Sequence, residues 1–166
     1  VARSAAEVRR ASGLVLAALV LIGLAVLGTR FHQTAQAAAD KAESDRQAVA
    51  AARQAALGLT NLSARTIDQD AQRLAGMATG AFKEQFASQA TAFRDIVTGS
   101  QVTSRGEVVE AALERSDGRT AVALAAVRAT VGNAGAPEGQ QRQYRLRITV
   151  EKTAQTWLVA NLEFVP

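Results

Sequence analysis

Nothing in the chain limits its folding more than the run Gly13 to Gly28, GLVLAALVLIGLAVLG, which has no polar side chain. Ala11 and Ser12 extend it on one side and Thr29 on the other. At about 1.5 Å per residue, segment 11–29 spans roughly 28 Å as a helix, close to the hydrocarbon thickness of a bilayer. In lipid a lone segment satisfies its backbone only as a helix, so the run predicts one transmembrane helix. A buried core helix is the competing reading, but such helices seldom run this far without a polar side.

The flanks predict orientation. Arg3, Arg9 and Arg10 precede the run with only Glu7 against them; Arg30 follows, and then the charges are mixed. Positive residues stay inside, which makes residues 1–10 a cytoplasmic flank. Residues 30–166 then lie on the periplasmic or extracytoplasmic side of an inner (plasma) membrane. Phe31 and His32 stand where an interfacial anchor belongs. Gly13 with Ala17, and Ala25 with Thr29, are small residues four apart, a spacing that lets a second membrane helix approach closely. Ala35, Ala37 and Ala39 offer A-x-A sites, so a cleaved signal peptide is the rival reading. The run is long for a signal peptide, and an uncleaved anchor is expected. The sequence opens on Val1, which carries the expectation of a further cytoplasmic piece ahead of it.

Beyond the anchor there is chain enough for one modest domain. The net charge of +4 is partly the inside-positive flank: without Arg3, Arg9, Arg10 and Glu7, 16 basic residues face 14 acidic ones. No block of like charge stands out, and nucleic-acid binding is not expected. The absence of cysteine excludes disulfides, thiol catalysis and Cys-based metal sites.

Residues 30–62 are rich in Ala, Gln, Glu, Lys and Arg without proline, which predicts a juxtamembrane helix. Val49, Ala52, Ala56 and Leu59 give it a thin apolar stripe, and its second half is expected to pack on the domain. Thr66 with Gln69 reads as a capping box, followed by a buried face of Ile67, Ala71, Leu74 and Ala78. Gly80 breaks or bends the path. Phe82, Phe86, Phe93 and Val97 then recur near the helical period, a core face before a ligand box.

After Gln101 the period changes. Val102 to Arg115 reads as a strand with Val109, Ala111 and Leu113 on one face, and Asp117-Gly118 as a hairpin turn. Thr120 to Val131 is apolar on both sides, as in a central strand. Asn133 to Gln141 reads as a loop. Tyr144, Leu146, Ile148 and Val150 alternate with polar residues, and Trp157 to Val165 closes the chain as a fourth strand. Helices followed by strands mean α+β. Over residues 63–166 the expectation is helices packed on a four-stranded curved antiparallel sheet, a cone-like domain of the nuclear transport factor 2-like (SnoaL-like) kind.

Catalytic chemistry finds little to work with. The lone histidine, His32, is outside the predicted domain, and no metalloprotease, nucleophile-elbow, phosphate-loop or EF-hand motif occurs. The carboxylates are scattered. Asp95 could sit at a pocket mouth, though a solvated helix face suits it better. Arg128, Arg145 and Arg147 could form a basic strip or an ordinary wet face. No catalytic, metal or cofactor residues are assigned. Phe82, Phe86, Phe93, Tyr144 and Trp157 are the candidates for the core or pocket of the outer domain.

Several stretches resemble a known family. Ala136-Pro137 through Arg142, Tyr144 and Arg145, then Trp157-Leu158-Val159 and Leu162-Glu163-Phe164-Val165-Pro166, are similar to Mce-associated membrane proteins of actinobacteria. So are Ala78-Thr79-Gly80 with Phe82 and Phe86, and Gly106-Glu107-Val108-Val109. The resemblance implies a single-pass protein with a nuclear transport factor 2-like outer domain. It implies an accessory or stabilising role beside the permease and substrate-binding subunits of an Mce-type ABC importer of fatty acids or sterols. It brings no catalytic motif. Two other roles suit the same layout: an inner-membrane scaffold subunit of a secretion or conjugation machine, and an envelope domain that binds lipid in the mouth of the cone.

Overall fold

A computed structural model describes residues 35–154 and 156–166. The transmembrane reading of residues 11–29, with Gly13, Ala17, Ala25 and Thr29, lies outside the described residues, as does His32. No helix among the described residues is long and apolar enough to cross a membrane. The chain divides into two compact units, Val1–Ala42 and Glu43–Pro166. Of the first, residues 35–42 are helical and exposed.

The second unit begins with α1, helical over residues 43–60. There follow β1 (Leu62–Ser63), α2 (Ile67–Gly76), α3 (Gly80–Gly99), β2 (Thr103–Ser116), β3 (Thr120–Asn133), β4 (Ala136–Thr153) and β5 (Thr156–Phe164). The strands form one antiparallel sheet in chain order, β1-β2-β3-β4-β5. The class is α+β, as expected. The sheet has a fifth strand because Leu62 and Ser63 pair with Ser104 and Thr103.

The core lies between α1 and the inward sheet face. Ala48, Ala52, Ala55 and Ala56 join Ala121, Ala123, Ala125 and Val127 of β3 in one buried cluster with Leu146, Ile148, Val150, Trp157 and Val159. Small side chains on both surfaces let helix and strand approach closely. The apolar stripe expected on α1 is therefore rotated: Val49 is only half buried, and Ala48 and Ala55 take the inner positions. Closest approach falls at Gly106, where a Cβ would stand 2.2 Å from Thr60 Oγ1. Asn61 closes the β2 edge there. Its amide donates to Gly106 O at 2.9 Å and its carbonyl accepts from Gly106 N at 3.2 Å.

Bulges shift the strand faces that simple alternation assigns. On β2 the register slips between Val108 and Glu110, and again between Leu113 and Arg115. Val108, Ala111 and Leu113 therefore pack against the core, whereas Val109, expected to face inward, is exposed. Each extra residue bends the strand and adds twist, which curves the sheet around the helices. β3 is central, with one wet face: Leu124 is exposed and Arg128 is paired with Glu107 on the outer side. The stretch expected to be a loop is a tight hairpin instead. Asn133 Oδ1 accepts from the amides of Gly135 and Ala136, so β4 begins at once. The hairpin expected at Asp117-Gly118 forms, with Gly118 at φ 88°.

At α2 the expected capping box is absent, and Thr66 makes no side-chain cap bond. Its hydroxyl donates to Asp70 Oδ2 at 2.8 Å. Asp70, 4% exposed, also accepts from Ser63 N and pairs with Arg73 at 3.0 Å. A buried carboxylate thus ties β1 to α2.

Candidate functional site

The segment between α2 and α3 positions the site. Thr79 N donates to Val159 O at 2.8 Å and Val159 N to Met77 O at 2.7 Å, so Met77–Thr79 is held beside β5 by a single parallel bridge at Ala78. Gly80, at φ 55°, then starts α3 alongside β5. Positions 82, 86 and 93 share one helical face. Their rings form a row, with centroids 6.4 Å apart from Phe82 to Phe86 and 6.1 Å from Phe86 to Phe93.

These rings wall a slot of about 270 Å³. Val159, Leu162 and Phe164 of β5 form the facing wall. Ala55 and Leu59 of α1, Leu74 of α2 and Met77, just past the end of α2, close the floor. Gly58 lets α1 and α2 meet there, since a Cβ would lie 2.8 Å from Met77 Cε. The polar lining consists of the neutral amides Gln85, Gln89 and Asn161. Phe86 and Phe93 are half-buried, and Phe164 is 61% exposed. The aromatic face of α3 is thus less a core face than the sequence pattern suggests; of α3 only Val97 is fully buried.

Of the sequence candidates, Phe82, Phe86 and Phe93 come together in the slot. Tyr144 stands behind it, packed edge-on against Phe164 at 5.7 Å. Trp157 belongs to the core, with the Lys152 ammonium 5.8 Å from its ring centre. Sequence reading missed Leu162 and Phe164 as lining residues. The register slip opposite Thr149 and Val150 hides their phase: Ala160 is the extra residue, and inward facing passes from Val159 to Leu162.

Several charged groups near the slot and on the outer sheet face are paired. Asp68 pairs with Arg94 at 3.2 Å. Asp95 is exposed and outside the slot lining. On the outer sheet face Arg128 meets Glu107 at 2.8 Å, and Arg147 donates to Glu114 through Nε and Nη2. The hydrogen bond to Glu114 raises the Arg147 pKa further above its ordinary value. The basic strip is thereby broken into ion pairs, with Arg145 between them over a depression of about 430 Å³ that includes Ala126 and Val165. Among the described residues no three His, Cys, Asp or Glu side chains gather as a metal site.

Solved structures share the fold of a curved antiparallel sheet with helices on one face. The periplasmic domain of DotI aligns over 71% of this chain and 92% of its own, with TM-score 0.59 and 14% identity. CagV of Helicobacter pylori, a VirB8 homologue of a type IV secretion system, aligns over 70% of this chain and 95% of its own at TM-score 0.56 and 8% identity. An IcmL-like type IV secretion protein of Legionella pneumophila gives 0.54 and 13%, over 73% and 91%. At these identities the likeness is one of fold. By sequence the chain belongs to the family described as uncharacterized protein Rv1363c/MT1408-like, whose model matches residues 10–166. The Rv1363c protein of Mycobacterium tuberculosis is 30% identical over 117 residues, 70% of this chain. The chain spans only 45% of that relative's length.

Proposed function

We propose that this protein is a non-catalytic, membrane-anchored assembly subunit whose domain from residue 43 onward works on the outer side of the inner membrane as a scaffold in a secretion- or conjugation-type machine. One observation carries the reading: the unit shares its fold with the periplasmic domain of DotI and with the type IV secretion proteins CagV and the IcmL-like protein, over nine-tenths of the length of each. The anchor is supported by the apolar run, which falls inside the stretch matched by the family model. A subunit of this kind needs no reacting groups. By binding only the assembled state it shifts the equilibrium toward assembly by mass action.

A second reading keeps the role and changes the parent complex. The ending Trp157-Leu158-Val159 with Leu162 to Pro166 resembles Mce-associated proteins, which favours an accessory subunit of an Mce-type lipid importer. One experiment tests both: affinity recovery of the tagged full chain from native membranes in mild detergent, followed by mass spectrometry. Secretion-channel subunits in the eluate support the first reading. A permease, an ATPase and Mce substrate-binding proteins support the second. A chain recovered alone refutes both.

A further inference from the structure

We infer that the slot between α3 and β5 binds the uncharged end of a hydrocarbon chain, the acyl chain of a fatty acid or membrane lipid, with the polar head left outside. Size, polarity and enclosure each narrow the occupant. An apolar cavity of ~150 Å³ holds a benzene molecule, so the slot, at about 270 Å³, accepts an insert nearly twice that size. One turn of an α-helix, about 10 Å across and 5.4 Å long, fills about 400 Å³, more than the slot holds, so a partner helix could lay only side chains into it. A single extended hydrocarbon chain is narrow enough to enter.

Among the described residues no ionisable side chain lines the slot, and its polar members are the neutral amides of Gln85, Gln89 and Asn161. A carboxylate or ammonium drawn inside would lose its water without gaining a counter-charge. The head of an amphiphile therefore stays at the rim, where amides can hydrogen-bond it. The phenyl row of α3 opposes the aliphatic and aromatic side chains of β5 across the width of the slot, and apolar residues of α1 and α2 exclude water from below. Phe164, largely exposed, continues the apolar surface outward beyond the slot. The inference stands apart from the assembly reading, which is decided by co-purifying subunits.

The test uses the full chain in phospholipid nanodiscs and hexadecanoic acid carrying a diazirine at its methyl end. After irradiation, labelled peptides are mapped by mass spectrometry. Label concentrated in residues 80–99 and 156–164 is expected, reduced at least fivefold by excess unlabelled acid. Phe86→Glu, which puts a charge in the slot, lowers that label at least tenfold and leaves label in residues 11–29 unchanged. Should the emission of Trp157 report that this variant is misfolded, Phe86→Gln replaces it, with a threefold loss expected. Repeating the experiment with phosphatidylcholine labelled at the tail identifies the source. Label from the free acid alone assigns a fatty acid, and label from both assigns a membrane acyl chain. Slot label no greater than on other exposed surfaces, or equal in a folded Phe86 variant, overturns the inference and leaves side chains of a partner protein as the occupant.

Discussion

Replacing Gly106 with alanine tests how closely α1 and β2 are drawn together. The new Cβ would stand 2.2 Å from Thr60 Oγ1, 2.5 Å from Thr60 Cβ and 3.2 Å from the Thr60 carbonyl oxygen. Rotating the threonine relieves only the first contact, and it breaks the 2.7 Å bond from Thr60 Oγ1 to Ala56 O, worth about 1 kcal/mol. The remaining overlap forces helix and strand apart, an overpacking cost of about 1–3 kcal/mol. Removing a glycine from a strand returns about 0.5–1 kcal/mol. The net destabilisation is therefore about 2 kcal/mol, which lowers the urea midpoint by about 1 M. Emission from Trp157, the only tryptophan and a buried one, reports the transition. Thr60→Gly in the same chain makes room for the methyl group. A double-mutant cycle over the two sites should give a favourable coupling of at least about 1 kcal/mol. A Gly106→Ala protein within about 0.5 kcal/mol of the parent, with no coupling to position 60, would refute the close-approach argument.

Asp70→Ala leaves Ser63 N, the Thr66 hydroxyl and Arg73 without their shared acceptor. It should destabilise by about 2–4 kcal/mol in the same urea assay, with Asp70→Asn costing less. Leu146→Ala removes a side chain with no exposed surface and should cost about 2–5 kcal/mol, read as a lower midpoint at unchanged slope. Asp117 accepts from the amides of Thr120 and Arg119, bonds that hold its pKa below the ordinary carboxylate value of 3.8. The unfolded chain therefore binds this proton first. The stabilisation is complete above pH 3.8 and is lost as pH falls through the lower folded value. Asp117→Asn should remove that part of the acid sensitivity, and an unchanged stability-pH profile below pH 5 would contradict it.

Much of the fold was legible because burial imposes its period on the chain. Leu146, Ile148 and Val150 sit inward as their alternation predicts, and Ile67, Ala71 and Leu74 are buried on α2. Failures came where one residue breaks the period. Val109 is the extra residue of a bulge, so the inward face continues at Ala111. The same device on β5 concealed Leu162 and Phe164, and with them one wall of the slot. The residues from Asn133 to Gln141 looked like a loop for their glycines and proline. Pro137 is nonetheless compatible with β4, because β5 pairs only from Leu146 onward and leaves that edge open. At Thr66 the spacing to Gln69 suggested a cap, but a buried Asp70 offered the hydroxyl a stronger, charged acceptor. The phenylalanine spacing on α3 placed three rings on one face correctly. What it could not supply was the opposing surface, which depends on Met77–Thr79 pairing with β5.

The alanines at the centre of the core have a bearing on folding itself. Ala48, Ala52, Ala55 and Ala56 meet a strand whose inner positions include Ala121, Ala123 and Ala125. An alanine has no side-chain rotamers to freeze, whereas a buried leucine or isoleucine gives up about 0.5–1 kcal/mol of torsional freedom. Each such residue contributes less apolar area, but its burial carries no rotational penalty. The layer therefore adds no side-chain ordering cost to the docking of α1 on the sheet. Ordering is concentrated in the larger residues of β4 and β5, which have to choose their rotamers as the sheet closes over the helix.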